Sequence, residues 1–219
     1  MYIFNAPDWF IGYDIFLELA FAVITAFVSW HAFKVYKITS QNKSRLFGIS
    51  FAFISISYFM QSFLNYSIVS NLNQNICEAI KLNNLVLLNN VGALIHTVFF
   101  IIGLLTLVYM TLNIKSQKAF LLLGAIIFTA LFYSAGTFLA FYTLSSILLL
   151  FIVVHYFENY LHHKQLKTLL SLAAFIFLLF GSVHYLLSVN HAVFYVISHI
   201  LELIAYLLIL ADLILVVKK

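Results

Sequence analysis

The sequence predicts an all-α, polytopic integral membrane protein: one bundle of seven transmembrane helices, N-terminus outside and C-terminus in the cytoplasm. Three observations carry that expectation. Hydrophobic residues make up 64% of the 219-residue chain and charged residues 8%, where a soluble domain would carry about 25% charged. Apolar runs lie near 11–33, 46–66, 85–112, 119–134, 137–157, 168–188 and 192–216, and most reach the roughly 20 residues a helix needs to cross a bilayer. Of the 11 Lys and Arg residues, all but Lys81 fall after the first, third, fifth or seventh run: Lys34, Lys37, Lys43, Arg45, Lys115, Lys118, Lys164, Lys167, Lys218 and Lys219. By the positive-inside rule these connections are cytoplasmic, which sets the orientation.

Taken in order, the first run follows Pro7, Asp8 and Trp9, a polar start with an interfacial aromatic anchor. The second and third are joined by 66–84, the longest connection, whose SNLNQN and ICEAIKL stretches predict a short surface helix. The fourth run is short; Tyr133-Ser134-Ala135-Gly136-Thr137 predicts a tight hairpin into the fifth. One continuous helix there would put the basic connections on inconsistent sides. The sixth and seventh runs close the bundle, and residues 1–219 make a single domain. No proline falls inside a span, since Pro7 is the only one.

The same composition narrows the function. Cys77 is the only cysteine, which excludes an intramolecular disulfide, a covalent CxxC haem site and a thiolate zinc site. The basic residues are spread along a cytoplasmic rim, where they meet anionic lipid, and no cluster is dense enough for nucleic acid. The expected surroundings are the lipid bilayer of the plasma membrane and a membrane protein partner.

Ionisable and strongly polar residues inside spans cost several kcal/mol unless paired or hydrated, so they mark function. Asp14 and Glu18 lie four apart on the first helix, Gln61 and Asn65 four apart on the second, and Asn89 and His96 seven apart on the third. Tyr195, His199, Glu202 and Tyr206 form one stripe of the seventh, and His184 ends the sixth. All fall in the outer half or midplane, which predicts a shared, wet, outward-opening cavity. The inner half has only His31, His155, Glu158 and Asp212, expected to snorkel to the interface from a drier interior. The tyrosines and phenylalanines are expected to face core or lipid.

Three classes of function fit this pattern. In the first, His96 with His184 or His199 supplies axial nitrogens to a b-type haem, or His96, His199 and Glu202 hold a divalent metal, for membrane redox or sensing. In the second, the cavity takes a small ligand or a proton and the helices report it to a partner, as a receptor-like or accessory subunit does. The third is an intramembrane metal hydrolase or a transporter. Retinal is not expected, because a Schiff base needs a lysine in mid-helix and the last helix has none before Lys218.

Overall fold

The computed structural model describes residues 7–10, 12–72, 79–113, 116–134 and 136–217; side chains at 8, 71, 72, 79–86, 88, 89 and 217 lie outside the described residues. A 3-10 turn at Asp8–Phe10 leads into α1 (Tyr13–Thr39), α2 (Asn42–Leu72), α3 (Ala79–Thr111), α4 (Gln117–Phe132), α5 (Thr137–His163), α6 (Leu166–Leu187) and α7 (Val193–Val217). Every described regular element is helical, as the bilayer demands of a chain whose backbone groups must bond internally. Six of these helices are long and apolar enough to cross a membrane. α4, with 16 residues, spans about 24 Å at 1.5 Å per residue.

α1, α2, α3, α5, α6 and α7 close into a ring in which α1 meets α7, while α3 touches α5 directly and α4 packs outside that seam. Rings and cavities fix the directions. His96 and Phe100 of α3 meet Phe141 of α5 at 5.6 and 5.5 Å between centroids. Farther along both helices, Met110 and Thr111 share a cavity with His155 and Tyr156, so α3 and α5 are parallel. α4 returns between them, because Tyr109 meets Phe120 at 5.1 Å and Gly124 sits beside Leu105. The chain therefore runs along the bundle axis seven times, six of them in helices long and apolar enough to cross a membrane. The turns at 40–41 and 164–165, with the basic side chains of Lys34, Lys37, Lys43, Arg45, Lys118, Lys164 and Lys167, fall at one end. This basic end faces away from the polar end, where Phe10 and His199 lie.

The 66–84 connection differs from the expected surface helix. α2 runs on to Leu72 and α3 starts at Ala79, while 73–78, including Cys77, lies outside the described residues. A continuing helix satisfies backbone groups at the membrane boundary without new partners, which outweighs the poor helix propensity of Asn and Ser.

Small residues bring the helices together. Ser55 and Ser62, seven apart on α2, donate to the Ala22 and Ile15 carbonyls, seven apart on α1, at 2.8 and 3.0 Å. Ser29 returns the bond to the Gly48 carbonyl at 2.8 Å. At Gly103 a Cβ would stand 2.7 Å from Ile54 Cγ1 and 2.9 Å from the Ser50 carbonyl, so only glycine permits this approach of α3 to α2. Phe16, Val23, Phe27 and Trp30 form the outward stripe of α1, between 48 and 70% exposed, as a lipid-facing surface should be.

Candidate functional site

Six of the costly residues picked out by sequence lie together near the polar end. Glu18, Gln61, His96, Tyr195, His199 and Glu202 line one cavity, with Tyr58, Tyr142 and Tyr185. Its volume is about 20 Å3, close to the space one water needs. Its ionisable and amide members are each only 2–6% exposed. The cavity is water-sized, and Phe10 of the 3-10 turn packs beside it, its ring 5.5 Å from His199 and 6.1 Å from Tyr195.

Glu202 is the junction. Its Oε2 accepts from Tyr58 on α2 at 3.1 Å and from Tyr185 on α6 at 3.2 Å. Tyr58 also meets the Tyr206 hydroxyl at 3.0 Å. Gly181 makes room for this: a Cβ there would stand 3.4 Å from Glu202 Cγ and 3.4 Å from the Ser198 carbonyl. His199 Nδ1 lies 2.9 Å from the Tyr195 carbonyl and 3.1 Å from the Tyr185 hydroxyl. A carbonyl only accepts, so Nδ1 carries the proton and Nε2 the lone pair.

His96 follows the same logic on α3. Ser57 donates to the His96 carbonyl at 2.8 Å, and its Oγ lies 2.7 Å from His96 Nδ1, which also faces the Ser57 carbonyl at 3.3 Å. Nδ1 is again the donor. A second pair adjoins them, since Asn65 Nδ2 donates to both oxygens of Glu18 at 3.0 and 2.9 Å and its Oδ1 accepts from Gln61 at 3.3 Å. Gln61 Oε1 is buried with no hydrogen-bond partner among the described residues.

Other expected members stand elsewhere. Asp14 turns back on its own helix start, accepting from the Gly12 and Ile15 amides at 2.8 Å each, the usual use of a carboxylate in a first turn. His184 is half-buried, faces its own helix through the Phe180 carbonyl at 2.7 Å, and packs on Phe194 at 5.6 Å; it does not line the cavity. The side chain of Asn89 lies outside the described residues. Ser57, Tyr58 and Tyr185 carry no charge, so no insertion penalty marked them. Tyr58 shares a face with Gln61 and Asn65 at i+3 and i+7, a helical spacing that would have flagged it.

The cofactor readings fare poorly on fit. Among the described residues no three His, Cys, Asp or Glu side chains converge as a metal site, because His199 and Glu202 are turned to tyrosine hydroxyls and His96 to Ser57. A porphyrin has no space where Phe100, Phe141 and Tyr142 fill the centre around a 20 Å3 void. No family model, curated protein or solved structure matches the chain.

The half at the basic end departs from the drier interior expected of it. An axial cavity of about 420 Å3 opens at the basic end, lined from all six ring helices. His155 and Asp212, both half-buried, line it. An apolar layer that includes Ile54, Leu104, Leu107 and Leu149 separates it from the Glu202 site, with a void of only about 10 Å3.

Proposed function

We propose that this integral membrane protein responds to protons, with Glu202 as the group that gains and loses one. The observation that carries the reading is the convergence of Tyr58 from α2 and Tyr185 from α6 on one oxygen of a carboxylate from α7. Ionised, Glu202 draws both hydroxyls to itself. Protonated, it donates one bond, and Tyr58 turns to the Tyr206 hydroxyl while Tyr185 keeps the bond it accepts from His199 Nδ1. A proton thus changes the bonding of three helices at once. Glu18 from α1 and His96 from α3 line the same cavity, and a site the size of one water admits a proton carrier and no larger solute. The Lys and Arg partition supports placing the polar end outside and the basic end in the cytoplasm.

A proton-coupled carrier is the second reading, favoured by the axial cavity at the basic end, one apolar layer from Glu202. Infrared difference titration of the full chain in lipid tests the first. Acidification should produce carboxylic C=O absorption in the wild type from which one component is missing in Glu202→Gln, while Asp212→Asn keeps that component. An acid-induced spectrum identical in wild type and Glu202→Gln would refute the assignment.

A further inference from the structure

Asp212 is a carboxylate inside a span with half its bonding unmet. Its Oδ2 accepts from Ser171 of α6 at 2.5 Å, while its buried Oδ1 has no hydrogen-bond partner among the described residues. A buried acceptor of this kind needs a donor. The neighbouring cation, Lys167, donates to the Leu215 carbonyl at 3.3 Å and makes no hydrogen bond to Oδ1. The carboxylate lines the 420 Å3 axial cavity, within the range of about 300–1,000 Å3 that small-molecule sites occupy.

The walls and the rim narrow the ligand. Val35, Phe47, Met110, Ile209 and Leu213 give apolar contact, and the stacked pair Tyr156 and Phe175, 4.7 Å apart, forms one side. Lys43 and His155 share the lining, and Arg45, Lys164 and Lys167 stand at the same end of the bundle. This positive rim opposes entry of a net cation, yet Asp212 calls for an N–H donor. A net-neutral solute with both charges meets both conditions.

We infer that the axial cavity binds a small aliphatic zwitterion of the amino-acid class, its ammonium on Asp212 and its carboxylate toward Lys43. A turn of the Asp212 side chain, which brings the covered Oδ1 to the cavity, lets the ammonium donate to it; the side chain lies on the aliphatic wall, and the carboxylate faces the exposed lysine. This site is separate from Glu202, so its failure leaves the infrared test untouched, and the reverse holds as well.

Equilibrium binding of radiolabelled leucine to the full chain in nanodiscs tests the inference. Two competitors split the recognition: 4-methylpentanoate lacks the ammonium and 3-methylbutylamine lacks the carboxylate. Leucine should bind saturably, with each competitor weaker by about tenfold or more, the loss of one charge-assisted bond. Asp212→Asn should weaken leucine by a similar factor. Lys43→Glu, at an exposed position that does not threaten folding, should weaken it too. Absence of saturable leucine binding overturns the proposal. So does displacement by 4-methylpentanoate as effective as by leucine, or unchanged affinity in Lys43→Glu.

Discussion

Removing the two hydroxyls that meet on Glu202 is the most direct probe of the polar site. Tyr58→Phe deletes the bonds to Glu202 and Tyr206 but keeps the ring, and with it the contacts to Phe21 and Phe100 at 5.2 and 5.7 Å. Tyr185→Phe deletes the bond to Glu202 and the contact with His199, whose Nδ1 proton still reaches the Tyr195 carbonyl. An interhelical side-chain bond in a bilayer contributes about 0.6 kcal/mol on average and at most ~1.7, and one to an ionised acceptor about 1.5–3. Each single change should therefore cost about 1–2 kcal/mol. The double change strips Oε2 of both donors, so it should exceed the sum of the singles by about 1 kcal/mol. Unfolding in mixed micelles of rising SDS fraction measures all four corners of the cycle. Strict additivity, within about 0.3 kcal/mol, would mean that the hydroxyls do not share an acceptor and would remove the basis for Glu202 as the junction.

Gly103→Ala should destabilise by about 1–3 kcal/mol, since its Cβ meets the Ser50 backbone at 2.9 Å. Gly124→Ala, whose Cβ only touches Leu105 Cδ2 at 3.4 Å, should leave the thermal midpoint nearly unchanged; equal losses at both would refute the close-packing account. Ser57→Ala should cost about 1 kcal/mol and let the His96 ring populate its Nε2–H tautomer, visible in the nitrogen NMR shifts of the imidazole. Single cysteines at Gln41 and at Ser134, in a Cys77→Ser background, should react with an impermeant reagent from opposite sides of the membrane, Ser134 from outside.

The spans were legible because hydrophobicity and length leave a chain of this composition little choice. Glu18, Gln61, Asn65, His96, His199 and Glu202 were legible for a related reason: each is too costly to expose to lipid, and five of the six line one cavity while Asn65 bonds to Glu18. That logic is blind to cheap residues. Tyrosine sits comfortably at interfaces, so cost alone does not separate the buried Tyr58 and Tyr185 from the exposed Tyr66 and Tyr133; only the spacing of Tyr58 with Gln61 and Asn65 marks it. Cost also does not reveal where a group spends its bonds, and Asp14 spends its own on its helix start. The cavity beside Asp212 was not legible because depth counted along one helix says nothing about a void that six helices leave between them.

The modest packing of α4 has a consequence for the rest of the chain. The ring closes without it, through direct contact of α3 with α5, and α4 adds Ile127 and Leu131 to the core from outside that seam. Its direction matters far more. By carrying the polypeptide back along the bundle axis once, α4 fixes the parity of every later helix, and with it the end at which Glu202 arrives opposite Tyr58. Lose that one pass and α5, α6 and α7 would enter inverted, with Asp212 level with His96 and Glu202 level with Lys43. A helix that packs from outside the ring thus sets the register between the two halves of the molecule.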